Sequence, residues 1–168
     1  DLDMITKLEV GDLNLEFSEF DIVELIQNVF DLLEMKADKK KITLAYENYH
    51  IKPIFVKGDK DKLQQVIENL IVNSIKYGKE GGTTKVSFYD METEILTEVS
   101  DNGIGIDEKH LKHVFYRFYR VDASRSRKQG GSGLGLSIVK HIIEAHDQTI
   151  NVRSTSEIGS TFGFTLKK

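Results

Sequence analysis

Apolar residues recur along most of this chain at the periods of helices and strands, which predicts a mixed α and β protein without internal repeats. The clearest helical pattern starts at Ile22. Asp21 can cap this helix, Glu24 follows three places later, and apolar residues then recur in steps of three and four. The same periodicity predicts helices over residues 22–38, about 60–78 and about 132–146, with shorter helical segments over 1–10 and 111–118.

Strands are predicted where apolar and polar residues alternate between turn-forming residues. Several of these segments are neighbours in sequence with short connections, so hairpins and a largely antiparallel sheet are expected. The fold class predicted is an α/β two-layer sandwich, with a mixed, largely antiparallel sheet covered on one face by three helices. The predicted strands are residues 13–20, 41–47, 54–59, 84–90, 94–101, 148–155 and 160–167.

Composition limits the possible functions. The sequence has 168 residues, no Cys and a formal net charge of −4, so disulfides and thiolate metal sites are excluded and nucleic acid is not favoured as a partner. No run of 18 or more apolar residues occurs, so no membrane segment is predicted. The absence of Cys is compatible with the cytoplasmic setting that we expect. Residues 117–128 hold five basic side chains and one acidic one, so they could attract a small polyanion.

A glycine-rich stretch, GGSGLGLS over residues 130–137, leads directly into the third predicted helix. It does not match a Walker loop, because Leu136 stands where that loop needs lysine. It also lacks the third glycine of a dinucleotide fingerprint, and a polar, basic segment precedes it instead of a buried strand. These residues alone leave its purpose open.

Polar residues on the second predicted helix suggest a binding face. Asn69, Asn73 and Lys76 are spaced to share the side opposite the apolar stripe. Asn is a poor residue for a helix interior, so either these side chains are simply exposed or an amide oxygen binds a hard cation while Lys76 meets phosphate. Asp101 follows a predicted strand in the stretch DNGIGI. That stretch is either an ordinary turn or an acceptor for an exocyclic amine such as that of adenine.

Taken in order, the motifs resemble the catalytic domain of two-component sensor histidine kinases, in the GHKL superfamily shared with gyrase, mismatch-repair ATPases and the large heat-shock chaperone ATPases. The similarity runs from about Phe17 to Leu166. Its N, G1, F and G2 boxes read NLIVNSIKYG, DNGIGI, VFYRFYRVD and GGSGLGLSIVK in this sequence, and GSTF follows near the end. The resemblance implies a domain boundary, with 1–12 as the end of a dimerisation hairpin helix and 13–168 as the ATP-binding catalytic domain.

The resemblance also implies a role for each matching residue. Asn73 would ligate Mg²⁺ with Asn69 one turn earlier, and Lys76 and Tyr77 would contact phosphates or ribose. Asp101 would accept from the adenine amine, and Thr161 would support that site from the last strand. The glycine-rich stretch would form the hinge of a lid over about 121–131 and place N–H groups beside the triphosphate. The remaining implied site residues are Gly103, Ile104 and Gly105 in the base pocket, Phe118, Gly131, Ser132, Gly133, Leu134, Gly135 and Leu136 around the lid, and Arg117 and Arg120 for charge stabilisation.

The family pattern is not matched everywhere. Asp147 and Gln148 stand where the family commonly has two glycines, and no His occurs in a phosphoacceptor context, so the substrate histidine would lie on a hairpin outside this sequence. The five His are expected to be surface residues. The implied partners are ATP, the dimerisation hairpin of a parent kinase, itself expected to be membrane-anchored, and a response regulator.

Two other functions remain open. A water-hydrolysing ATPase of the superfamily would carry Glu as general base at the position of Asn69, and Glu68 should point elsewhere because successive helix residues are rotated by about 100°. A nucleotide-binding scaffold without catalysis, or a kinase for protein serine, is the other alternative.

Overall fold

The computed structural model describes residues 13–48, 52–117, 119 and 135–168. These residues form one sheet with helices packed on one of its faces, which confirms the predicted fold class. No helix within the described ranges is both long and apolar enough to cross a bilayer. In chain order the elements are β1 (Ser18–Asp21), α1 (Ile22–Lys39), β2 (Thr43–Tyr46), β3 (Phe55–Gly58), α2 (Lys60–Tyr77), β4 (Thr83–Asp90), β5 (Glu94–Asp101), α3 (Glu108–Leu111), α4 (Gly135–Ala145), β6 (Ile150–Thr155) and β7 (Gly159–Lys167).

The sheet has the order β1-β3-β7-β5-β4-β2, and β6 also pairs with β7. Among the strands that the structure describes, β2 and β4 alone are parallel partners. Strand β6 pairs with residues 159–164 of β7 and β3 meets Lys167 of β7, so the two lie along the edge opposite β5. The predicted hairpins β4–β5 and β6–β7 are both present.

The core lies between the sheet and helices α1, α2 and α4. Along β7 the alternate residues Phe162, Phe164 and Leu166 are buried against these helices, as are Val86 and Val99 on the neighbouring strands. The opposite face is polar and carries the ion pair between Glu98 and Arg153. Because side chains alternate across a strand, this pattern shows which face of the sheet each residue occupies.

Two predicted elements differ from the structure. The strand expected over 13–20 is confined to β1, because its pairing with β3 stops at Ser18 and Gly58, and the N–H of Glu16 then bonds to the Asp59 side chain. The helix expected over 111–118 is instead the short α3, which Asp107 caps through the N–H of Lys109, followed by turns. The predicted helix over 1–10 lies outside the described residues.

Candidate functional site

Helix α2 presents the predicted polar face. Asp59 caps its N-terminus by accepting from the N–H of Lys62, and the helix continues unbroken to Tyr77. Asn69, Asn73 and Lys76 therefore share one side, and all three are partly exposed. The Lys76 ammonium lies 5.2 Å from the centre of the Tyr77 ring, within the range of a cation–π contact. The sequence spacing thus predicted this face correctly.

An open groove of about 500 Å³ runs along the same side of α2, nearer its N-terminus. Glu68 lines this groove together with Asn69, so the expectation that Glu68 points elsewhere is wrong. A rotation of about 100° per residue separates the two side chains but leaves both on one wide face. The described lining residues are Asp61, Gln64, Gln65, Glu68, Asn69 and Val72.

The C-terminal end of α2 is capped by hydrogen bonds for which the sequence gives no local signal. Helix ends leave carbonyl groups without partners inside the helix. The Lys40 ammonium, just after α1, donates to the carbonyls of Ile75, Lys76 and Gly78, each at 2.9 Å. The carbonyl of Tyr77 accepts from the N–H of Ile104 at 3.2 Å. The backbone that carries Lys76 and Tyr77 is therefore held in place from two sides.

Asp101 ends β5 on the face of the sheet that the helices cover, since it shares that face with Val99. Its carboxylate accepts from the N–H of Gly103 at 3.0 Å. Burial raises the pKa of Asp101 above its ordinary value of 3.8, although backbone donors at Gly103 and Ser160 oppose the shift. The site thus holds a partly buried acceptor, as recognition of an amine requires.

The glycines after Asp101 pack against protein backbone. A Cβ at Gly103 would lie 2.1 Å from the carbonyl oxygen of Tyr77, and one at Gly105 would lie 2.1 Å from that of Thr155. Gly105 also has φ +69°, a conformation that disfavours side chains. The absence of both side chains lets the loop after Asp101 pack between the end of α2 and the β6–β7 hairpin. The place of Gly103 and Gly105 in a base pocket, which the family resemblance implies, stays a prediction.

Thr161 does not lie beside Asp101. It is the register partner of Ser100, and the two hydroxyl oxygens are 2.9 Å apart on the polar face of the sheet. The residue opposite Asp101 is Ser160, which is 6% exposed. Ser160 stands one residue before Thr161 in the stretch GSTF. Which of the two lies opposite Asp101 depends on the register of the strands, which the sequence does not show.

The start of α4 lies beside α2. The Asn69 amide nitrogen donates to the carbonyl of Gly135, the first residue of α4, at 3.2 Å. Leu136 is partly buried against the core. The contact places the described end of the glycine-rich stretch against the predicted binding face of α2. The N-terminal turn of α4, whose backbone N–H groups and dipole favour anions, therefore lies near Asn69.

Several predicted site residues are not brought together by the described structure. Arg117 is exposed after α3. The predicted lid over 121–131 lies outside the described residues, and so do six residues of the predicted site, of which Gly131 ends the lid. Those six are Phe118, Arg120, Gly131, Ser132, Gly133 and Leu134.

One expectation about histidine is wrong. His146 is only 5% exposed, and both of its ring nitrogens have partners in the protein. No local signal distinguishes it from His141, five residues earlier, which is exposed. Its burial depends on Asp59, which is 87 residues away in sequence.

Comparison with known proteins gives a consistent result. Residues 58–168 match the family described as histidine kinase-, DNA gyrase B-, and HSP90-like ATPase. The sequence is 37% identical to the sensor histidine kinase WalK of Bacillus subtilis (strain 168), over 99% of this chain and 27% of WalK. The chain therefore spans about a quarter of the length of this relative.

Solved structures extend the similarity to the fold. The catalytic domain of histidine kinase ThkA is 31% identical, with a TM-score of 0.78 over 91% of this chain and 96% of that one. A complex of ThkA with the response regulator protein TrrA also matches, at 29% identity and a TM-score of 0.78 over 99% of this chain and 47% of that one.

Proposed function

Because this chain belongs to the family of histidine kinase-, DNA gyrase B- and HSP90-like ATPases, we propose that it is an ATP-dependent protein-histidine kinase domain of a two-component system. The observation that carries the proposal is the convergence of three motifs on α2. Asn69 contacts Gly135 at the start of α4, and Ile104 of the Asp101 loop bonds to Tyr77. Segments far apart in sequence thus form one surface with a partly buried carboxylate and a partly exposed amide face.

The two ends of this surface suit the two ends of a nucleotide. The Asp101 carboxylate can accept from the exocyclic amine of adenine, which GTP lacks at that ring position. Lys76 and the N-terminus of α4 supply positive charge for phosphates without a Walker lysine. Asn73 lies on the same side of α2 as Lys76, one turn closer to the start of the helix.

Magnesium fits the donor set. Mg²⁺ keeps several waters and takes one or two protein oxygens alongside nucleotide phosphates. The Asn73 amide oxygen, on a partly exposed helix face, would be such a ligand. When bound, the ion would supply neutralising charge between the phosphates.

In the proposed reaction an imidazole nitrogen of the substrate histidine forms a bond to the γ-phosphorus while the bond from that phosphorus to the bridging oxygen of ADP breaks. The imidazole proton leaves to solvent or to a nearby base. Catalysis of this kind is mostly positioning and charge stabilisation, for which Arg117 and Arg120 are candidates. Asn69 cannot accept a proton from water, which favours transfer over hydrolysis.

The partners are proposed from the relatives. The histidine would lie on a dimerisation hairpin whose last helix includes residues 1–12, and the phosphoryl group would pass on to a response regulator. The complex of ThkA with TrrA supports this type of partner. We also propose a cytoplasmic setting and a membrane-anchored parent kinase, by analogy with sensor kinases.

Calorimetric titration of a non-hydrolysable ATP analogue, with and without Mg²⁺, tests the nucleotide site. Asp101→Asn should weaken binding by about 1.5–3 kcal/mol, the range for a hydrogen bond to a charged group. Asn73→Ala should reduce the gain in affinity that Mg²⁺ gives. Asn28→Ala, an exposed Asn on α1, serves as its control. Unchanged affinity in Asp101→Asn would refute the adenine assignment.

Labelled ATP distinguishes the kinase from the hydrolase. With a dimerisation hairpin supplied as a separate polypeptide, the kinase should place label on its histidine. Phosphate release without labelled hairpin would instead favour the ATPase. Because Glu68 lines the groove beside Asn69, Glu68→Gln should then abolish that release. Nucleotide binding with neither product would favour the scaffold.

A further inference from the structure

His146 is a buried titratable residue that the proposed chemistry does not use. It follows α4, and its Nδ1 lies 2.7 Å from the carbonyl oxygen of Ile142. Its Nε2 accepts the N–H of Asp59 at 3.0 Å. These partners assign the neutral tautomer with the proton on Nδ1, so both ring nitrogens are satisfied. His146 therefore ties the C-terminal end of α4 to the residue that caps α2.

Asp59 joins a third segment to this contact. Besides capping α2, its carboxylate accepts the N–H of Glu16 at 3.0 Å. Gly58 makes room for the arrangement, since a Cβ there would lie 3.1 Å from the imidazole of His146. The segment that precedes β1 is thus bonded to the start of α2.

Phe17 completes the contact from the same segment. Its ring centre lies 5.2 Å from that of His146, with an angle of 36° between the ring planes. Phe17 is nevertheless 56% exposed, so it covers the imidazole without being part of the core. Phe17, Asp59 and His146 together are called the entry junction below.

Two hydrogen bonds among the described residues join α2 to α4. One is the bond between His146 and Asp59, and the other is the bond between Asn69 and Gly135. Asp59 and Asn69 are ten residues apart along α2, about 15 Å. Gly135 and His146 are eleven residues apart along α4, about 16 Å. The matching lengths mean that the two antiparallel helices are joined near both ends of α4.

We propose that the entry junction lets residues 13–17 set the relative position of α2 and α4, and thereby the nucleotide site, with His146 and Phe17 as positioning residues. This inference rests on the proposed nucleotide-binding function, since Asn73 stands one turn beyond Asn69. Coupling between two sites is reciprocal, so nucleotide must also change the environment of Phe17. A change in the relative position of α2 and α4 therefore links Phe17 to the nucleotide site without any contact between Phe17 and the ligand.

Fluorescence tests the reciprocal effect, because the sequence contains no Trp. A Phe17→Trp variant carries a single indole at the entry junction. A Phe55→Trp variant is the control, because Phe55 is 55% exposed and lies in β3 beyond the entry junction. A non-hydrolysable ATP analogue with Mg²⁺ should change the emission of Phe17→Trp saturably, with a midpoint equal to the calorimetric Kd. The emission of Phe55→Trp should not change.

Truncation tests the forward effect. Phe17→Ala removes the ring that steadies His146, so α2 and α4 populate the binding arrangement less and the apparent Kd rises. An increase of about fivefold is expected, at the lower end of couplings between sites, while Phe55→Ala stays within about 1.5-fold of the parent protein. Both exposed positions should tolerate these changes without loss of the fold.

The outcomes separate this inference from the proposed function. Suppose that calorimetry shows that the unsubstituted protein binds the analogue. An unchanged emission of Phe17→Trp, or an equal change in the emission of Phe55→Trp, then overturns the proposed coupling through the entry junction but not the proposed function. Equal affinities of Phe17→Ala and Phe55→Ala overturn it as well. If the unsubstituted protein binds no analogue, the proposed function fails and the coupling fails with it.

Discussion

Replacing Lys40 by Met tests whether the ammonium group really closes the end of α2. Lys40 uses all three of its N–H donors on the carbonyls of Ile75, Lys76 and Gly78. Met keeps most of the aliphatic chain but cannot donate, so three acceptors at the helix end lose a charged partner. The variant therefore isolates the hydrogen bonds from the packing.

The size of the effect follows from this geometry. A hydrogen bond contributes about 1 kcal/mol net, and more when the donor is charged, but water can replace part of it at a half-buried position. Three such bonds give an expected loss of about 2 kcal/mol in the free energy of unfolding. For a chain of this length the entropy of unfolding is about 0.35 kcal/mol/K, so Tm should fall by about 5–6 °C.

Urea denaturation followed by circular dichroism, together with a thermal melt, measures this loss. Lys39→Met is the matched control, because Lys39 ends α1 with its side chain exposed and the charge change is the same. It should cost less than about 0.5 kcal/mol. Equal losses in the two variants, or a loss below about 0.5 kcal/mol in Lys40→Met, would refute the role given to Lys40.

Three further variants test local energetics. Asp147 has φ 57° just after α4, where a carboxylate also faces the negative helix end, so Asp147→Gly should stabilise the protein by about 0.5–1 kcal/mol in urea denaturation. Burial raises the pKa of Asp101, so ionisation costs stability as pH rises through the folded-state pKa. Asp101→Asn should therefore be more stable than the parent at pH 7, and the difference should shrink below the ordinary value of 3.8. Burial, followed by the charges of Asp31 and Asp21, raises the pKa of Tyr46 to about 12, so stability should fall between about pH 10 and 12 and fall less in Tyr46→Phe. A parent and a Phe variant with the same alkaline profile would contradict this.

Much of the candidate site could be predicted from sequence because its signals are local. Asn69, Asn73 and Lys76 share a face in any unbroken helix, and the apolar stripe of α2 fixes which face that is. Asp101 ends β5, a strand that the alternation of apolar and polar residues predicts. The family match over residues 58–168 agrees with the order of these motifs.

Other features of the site depend on contacts that local sequence does not encode. The face occupied by Thr161 follows from its pairing with Ser100, 61 residues away, and a shift of one residue in register exchanges it with Ser160. The close packing of Gly103 and Gly105 against the carbonyls of Tyr77 and Thr155 likewise depends on segments that are distant in the chain.

The sequence by itself thus determined the order of helices and strands, the polar face of α2 and the family, since helix and strand periods and motif spacing are properties of neighbouring residues. The tertiary structure alone decided that His146 is buried against Asp59 and that Lys40 closes α2. Both contacts form because a polar group that is buried on folding needs a hydrogen-bond partner, and here a segment distant in the chain supplies that partner.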